Sequence, residues 1–340
     1  MTTARLDPLT GRWVVVATGR ARRPDTVGAT PTSAPAQRDD GPARVADCPF
    51  CPGNEHLTPP EVARTGPGAA GAPGWRTRVF PNRYPIVDGP VDEPRDVPHD
   101  SPGDRADPLR AQRPAGGAHE VVVLSPDHRR SLARLGPSHV TEVLTVLRNR
   151  ARTHAAAGRC YTQVLVNHGA EGGASLAHPH AQVVAVDLEP PEVCDELARL
   201  TTPSGCVVCL ELARHAEEPG LVVATAAGAE LWCPWGSRSA YEMLLAPRRH
   251  RARFEDASDE LPDVGALLHE GLARLDRVAP GVAYNLAVHT RPAGADGDYH
   301  WHVHLWPRLQ REGGFELGSG LAVAIVDPAQ AAADLASADA

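Results

Sequence analysis

Two stretches, LAHPHAQV (176–183) and YHWHVHLWP (299–307), each place histidines two residues apart beside an apolar run. On an extended chain, residues i and i+2 share a face, so each stretch presents paired imidazoles on one side of a strand. Working upstream, LSPDHRR carries His128 and LAPRRHRA carries His250. Fifty residues separate His128 from His178, and fifty separate His250 from His300. Between them, residues 138–157 place Val140, Val143, Leu144 and Leu147 at helical spacing, with Ser138 as N-cap and Gly158 as stop. Residues 262–278 repeat this with Val264, Leu267, Leu268 and Leu275, followed by Pro280-Gly281. A strand-like run follows each helix, YTQVLVN (161–167) and VAYNLAV (282–288). Each half reads as strand, turn ending in histidine, helix, strand, loop, and strand carrying His-x-His. This predicts an α+β fold of two tandem duplicated units, antiparallel sheets with packed helices, divided as 1–190 and 191–340.

The seven cysteines include two C-x-x-C pairs, Cys48/Cys51 and Cys206/Cys209. Alone, such a pair is half a zinc site or a redox dithiol. A dithiol needs no histidines at matched intervals, whereas a tetrahedral Cys2His2 site does. The spacing therefore points to two metal sites, Cys48, Cys51, His128 and His178, and Cys206, Cys209, His250 and His300. Zn2+ is expected in the first and Zn2+ or Fe2+ in the second. The odd cysteine count and an N-terminus without a signal-peptide core argue against a disulfide framework. Cys160, Cys194 and Cys233 read as incidental thiols, and His99 and His215 as surface residues.

The net charge of −8, with both signs scattered, argues against a nucleic-acid groove. No run of 18 apolar residues suggests a membrane span, and the expected location is cytoplasmic. All 34 basic residues are arginine, which excludes a Schiff-base or P-loop lysine. Anions must be held by arginine, histidine or backbone N–H groups. Residues 25–46 and 88–118, dense in Pro, Gly, Asp and Ala, read as loops.

With His178 given to the metal, His180 is left free. A neutral imidazole is a competent nucleophile toward phosphorus near neutral pH. Just upstream, NHGAEGGASLA (167–177) offers backbone N–H groups and the Ser175 hydroxyl as an anion pocket, and Gln182 shares the face of His180. The residues suggest attack on a phosphate held beside this strand.

Taken in order, DPLTGRWVVVA (7–17), RARRP (20–24), CPFCPGNEHLTPPE (48–61), FPNRYP (80–85), HEVVVLSPDH (119–128), NHGAEGGASLAHPHAQ (167–182), APRRH (246–250), YHWHVHLWPRL (299–309) and GGFELGSG (313–320) resemble the galactose-1-phosphate uridylyltransferase family. This is the transferase branch of the histidine-triad superfamily. The resemblance implies two histidine-triad-like domains and a ping-pong reaction: a nucleotide sugar gives up its nucleoside monophosphate to a histidine, which passes it to a sugar 1-phosphate. It implies His180 as nucleophile and Gln182 as the residue steadying the transferring phosphate. Arg20, Arg23 and Ser175 would meet phosphates, with Asn82 and Asn167 near the nucleotide. It implies the same first metal set, a homodimer, and a segment carrying Gly314 and Phe315 that serves the partner's site. The expected activity is UDP-glucose:hexose-1-phosphate uridylyltransferase.

Two features depart from that pattern. HPHAQ has alanine where uridylyltransferases usually show glycine, and galactose-specific members often hold their second metal with a glutamate and histidines. The Cys206, Cys209, His250, His300 set looks more like ADP-sugar phosphorylases, in which inorganic phosphate intercepts the nucleotidyl-enzyme. A dinucleotide hydrolase and a zinc-stabilised nucleotide-binding scaffold are the further alternatives. The His300, His302, His304 run is also the pattern of histidine-triad hydrolases.

Overall fold

The computed structural model describes residues 3–7, 10, 13–16, 41–87 and 115–338. Arg20, Arg23 and His99 lie outside them. The two halves repeat element for element. In the first, strands β4 (Thr77–Pro81) and β5 (Gly117–Val123) lead through the His128 turn into helix α1 (Pro137–Ala156), then β6 (Tyr161–His168) and β7 (His180–Val186). In the second, β11 (Ala229–Trp232) and β12 (Met243–Pro247) lead through His250 into α4 (Leu261–Val278), then β13 (Tyr284–His289) and β14 (His302–Pro307). With β3 (Ala63–Thr65) and β10 (Val222–Thr225) at the edges, they form one ten-stranded sheet, ordered β10-β11-β12-β14-β13-β6-β7-β5-β4-β3.

The halves join through the antiparallel pair β6 and β13. Leu165 lies opposite Ala287, and these two are themselves 122 residues apart, the offset that also relates His128 to His250 and His178 to His300. A local two-fold axis therefore passes through the seam. A separate small sheet carries β1 (Thr3–Leu6) and β2 (Trp13–Val16), with β15 (Ala322–Ala324) parallel to β2.

Alternation sorts the side chains. Val122, Val164, Val166, Ala181, Val183, Leu286, Val288, Val303 and Leu305 pack beneath α1 and α4. Those helices cross closely because position 265 is glycine: a Cβ there would lie 2.5 Å from Thr141 Oγ1. On the opposite face the second half is covered by α2 (Pro191–Leu200) and α3 (Val207–Glu217), through Val193, Leu200, Val208, Leu212, Trp232, Leu244 and Tyr299. The first half is covered there by the cysteine loop, through Phe50, Trp75, Phe80, Val121 and Val123.

Three local expectations are corrected. Ser138 is not the N-cap of α1. Gly136 is, and Pro137 starts the helix with its φ already suitable. His215 is buried, its Nδ1 2.7 Å from Glu230, because α3 turns it toward β11. The loop expected over 88–118 ends early, since Gly117 already begins β5. No helix among the described residues is long and apolar enough to cross a membrane.

Candidate active site and metal centres

The cysteine loop brings Cys48 and Cys51 to His128 and His178. Cys51 Sγ lies 3.4 Å from His128 Nδ1 and 3.6 Å from His178 Nδ1, and Cys48 Sγ lies 3.7 Å from His178 Nδ1. A tetrahedral zinc with bonds of about 2.3 Å to sulfur and 2.0–2.1 Å to nitrogen sets its S···N edges at about 3.5 Å. His178 Nε2 donates to the Ser125 carbonyl at 2.8 Å, which leaves the Nδ1 lone pair facing the thiols. Burial lowers the His178 pKa to about 4, keeping it the neutral ligand a metal requires.

Cys206, Cys209, His250 and His300 repeat this arrangement. Cys209 Sγ is 3.3 Å from His250 Nδ1 and 3.5 Å from His300 Nδ1, and Cys206 Sγ is 3.8 Å from His300 Nδ1. His300 Nε2 bonds to the Pro247 carbonyl, the counterpart of Ser125, and His250 Nε2 to Asp298. Donor chemistry and edge lengths fit a tetrahedral ion in both sets.

A third group was not recognised as a ligand set from sequence. Glu196 of α2, His289 of β13, and His302 and His304 of β14 bring their ligand atoms within 4.8 Å of one another, all buried. His302 Nε2 and both ring nitrogens of His304 have no hydrogen-bond partner there. Burial opposes charge on His304, yet the Glu196 and Glu242 carboxylates, 3.5 and 3.8 Å from its ring nitrogens, raise its pKa to about 9. Two buried carboxylates, Glu196 and Glu242, thus face this ring. The signal was the His302-x-His304 spacing; Glu196 and His289 join it only through the fold. The chain thus carries both a glutamate–histidine set and a second Cys2His2 set.

His180 stands at the start of β7, 7% exposed, on the sheet face covered by the cysteine loop, its ring centroid 5.3 Å from that of Phe50. Its Nδ1 lies 2.9 Å from the His178 carbonyl, which can only accept, so Nδ1 carries the hydrogen and Nε2 presents a lone pair. Burial lowers its pKa, which favours the neutral, nucleophilic form. His302, its repeat counterpart, makes the same bond to His300 at 2.8 Å, but its Nε2 is directed at Glu196, 3.7 Å away.

Gln182 lies two residues along the same face. Its Oε1 is 2.7 Å from His119 Nε2. His119 Nδ1 accepts the Ile86 backbone N–H, so the ring hydrogen sits on Nε2 and the Gln182 oxygen accepts it. The Gln182 NH2 is thereby left to donate elsewhere. Asn82 packs its amide nitrogen 3.1 Å from the same ring nitrogen, with its oxygen on the Tyr84 N–H. His119, buried and with its pKa lowered by burial, was missed from sequence because its role appears only through the β5–β7 pairing.

Asn167, next to last in β6, lies beside His180: Val166 opposes Ala181, so the next position on each strand carries Asn167 and His180. Its oxygen accepts from Asn285 at 2.8 Å. The following loop places Ser175 at the surface. The N–H groups of Gly172, Gly173 and Ala174 do not line an anion pocket as expected; they donate to the carbonyls of Gly169 and Ala170, closing the turn. Gly314 and Phe315 lie on a short helix, α5 (Gly314–Ser319), with Phe315 55% exposed and Leu317 73% exposed.

Comparison with known proteins agrees with this geometry. Residues 1–190 match the galactose-1-phosphate uridyl transferase N-terminal domain, and residues 138–338 match a domain family of unknown function. An ADP-glucose phosphorylase of Arabidopsis thaliana is 28% identical over 337 residues, covering 95% of this chain and 89% of that protein. A galactose-1-phosphate uridylyltransferase of Haemophilus influenzae is 27% identical, covering 90% of this chain and 84% of that one. A crystal structure of an Arabidopsis thaliana ADP-glucose phosphorylase with bound ADP-glucose superimposes with a TM-score of 0.80 at 26% identity, over 100% of this chain and 99% of that one. A uridylyltransferase structure gives 0.70 at 26% identity, over 99% and 98%. The chain belongs to the galactose-1-phosphate uridyl transferase family of nucleotidyltransferases.

Proposed function

We propose that this chain transfers a nucleoside monophosphate from a nucleotide sugar to a sugar 1-phosphate through a covalent intermediate on His180, acting as a UDP-glucose:hexose-1-phosphate uridylyltransferase. The observation that carries the reading is the His180 ring, its hydrogen fixed on Nδ1 by the His178 carbonyl and its Nε2 lone pair left on a ring that shares its strand face with Asn167 and Gln182. Nε2 attacks the α-phosphorus, forming a P–N bond as the P–O bond to the departing sugar 1-phosphate breaks. A phosphate oxygen of the second sugar 1-phosphate then attacks the same phosphorus and releases the histidine. Gln182 and Asn167 donate their NH2 groups to the non-bridging oxygens, a positioning and charge-stabilising role that phosphoryl transfer demands. Arg20, Arg23 and Ser175 are proposed phosphate contacts and Asn82 a nucleotide contact.

Zn2+ held by Cys48, Cys51, His128 and His178 supplies a cross-link that fixes the start of β7. Zn2+ or Fe2+ in the Cys206, Cys209, His250, His300 set, and a cation in the Glu196, His289, His302, His304 set, do the same for β14. Residues 1–190 are read as the catalytic domain and 191–340 as a supporting domain. A cytoplasmic homodimer is proposed, with Gly314 and Phe315 serving the partner's site.

The second Cys2His2 set and the likeness to the plant phosphorylase favour one alternative, in which the nucleotide is adenylyl and the acceptor inorganic phosphate. Intact-protein mass spectrometry after separate exposure to UDP-glucose and ADP-glucose tests both. A uridylyl mass gain supports the first reading, an adenylyl gain the second, and no gain with either overturns the covalent mechanism.

A further inference from the structure

Asn285, on β13 of the second half, is the register partner of Asn167 on β6 of the first. Groups of unambiguous polarity set its orientation. Its NH2 donates to the Gly172 carbonyl at 2.7 Å, and its oxygen accepts from the Arg308 guanidinium. The same NH2 lies 2.8 Å from a side-chain atom of Asn167, which must therefore be the oxygen. Asn167 consequently turns its own NH2 away from the seam; a Cβ built on Gly173 would lie 3.9 Å from that nitrogen. Gly172 approaches so closely that a Cβ there would fall 2.4 Å from the His168 carbonyl and 2.8 Å from the Tyr284 carbonyl. One side chain of the second repeat thus holds both an amide and a loop of the first.

We infer that Asn285, braced by Arg308, is a positioning residue for nucleotidyl transfer: it fixes the flip of the Asn167 amide so that a donor, not an acceptor, faces the transferring phosphate. This rests on the function proposed above. Without Asn285, no other hydrogen bond to the Asn167 side chain among the described residues fixes the amide before substrate binds, and its oxygen is free to turn toward the phosphate.

The test is a double-mutant cycle on the full-length metal-loaded protein with Asn285→Ala, Asn167→Ala and the double variant. Two quantities are read: the single-turnover rate of labelling by the nucleotide sugar that labels wild type, and the Kd for inorganic pyrophosphate by calorimetry. Asn285→Ala is expected to slow labelling about 10- to 100-fold and to weaken pyrophosphate binding. In the Asn167→Ala background, the same change alters either quantity by less than about threefold. Losses that multiply in the double variant, or wild-type behaviour of Asn285→Ala, overturn the inference. Should Asn285→Ala fail to fold, Arg308→Ala at the surface replaces it. That change must slow labelling in the wild-type background and not in Asn167→Ala. Absence of labelling in wild type with pyrophosphate coupling intact defeats the proposed function and the transfer role with it, while the orienting of Asn167 toward a bound phosphate by Asn285 stands. Labelling without coupling does the reverse, and absence of both labelling and pyrophosphate binding overturns both.

Discussion

The ring of His180 is bonded to the backbone carbonyl of His178 at 2.9 Å, so the residue read as nucleophile is oriented by the residue read as metal ligand. A cross-link at His178 fixes the carbonyl, the carbonyl fixes the tautomer, and the tautomer exposes Nε2. His180→Asn is expected to abolish the nucleotidyl adduct in intact mass spectra while leaving metal content unchanged. An adduct that persists in that variant removes His180 from the mechanism.

The three ligand sets should be separable. Cys51→Ser is expected to lose one metal equivalent by elemental analysis and, because the His178 carbonyl loosens, most adduct formation. Cys209→Ser should lose one equivalent while adduct formation stays within roughly threefold of wild type, the two sites sharing no ligand. Glu196→Gln should lose the equivalent held by His289, His302 and His304 alone. Unchanged metal content in any of these variants means that its set binds no metal.

His119→Ala frees the Gln182 amide to rotate. Labelling by nucleotide sugar is expected to slow about 10- to 100-fold, the scale of a misplaced contact, with the protein still folded at a lower melting temperature because a buried ring is lost. Combination with Gln182→Ala should add little. Independent, multiplying losses would mean that His119 does not act through Gln182.

Glu120 lies on the helix-facing side of β5, fully buried, with Arg150 Nε at 2.9 Å and Nη2 at 2.5 Å, and His154 at 3.2 Å. Burial raises its pKa, but the His154 and Arg150 hydrogen bonds outweigh it, so the folded value lies below 4.5. A carboxylate with a depressed pKa contributes its stability above the unfolded value and loses it as pH falls through the folded one. Glu120→Gln should cost about 3 kcal/mol at pH 7 by urea unfolding, and the difference from wild type should shrink below pH 4.5. A gap that stays constant down to pH 3 would refute the ionic role.

Much of this was legible in the residues themselves. The matched fifty-residue intervals, the helical spacing around Val143 and Leu267, and the C-x-x-C pairs rest on local periodicity, and each maps onto an element or a ligand set. What escaped depends on register between distant strands. His119 reaches Gln182 only because β5 pairs with β7, and Asn285 reaches Asn167 only because β13 pairs with β6. Glu196 meets His289, His302 and His304 only because α2 folds over the second half. In the glycine-rich loop, glycine content shows that a backbone can turn tightly, not which N–H groups the turn consumes; here it takes those of Gly172, Gly173 and Ala174.

The β6–β13 seam also sets what either half could do alone. Cut between the repeats, each fragment would present a bare six- to eight-residue strand edge with its ladder of unmet N–H and C=O groups, and the complement of that edge is the corresponding edge of another fragment. An isolated half is therefore poised to self-associate across the same local two-fold axis, so the tandem chain is the covalent form of a pairing that separate copies could make. The second repeat differs from the first in where its strand-entry histidine points. At the position of His180 it keeps a histidine, but points it at a glutamate.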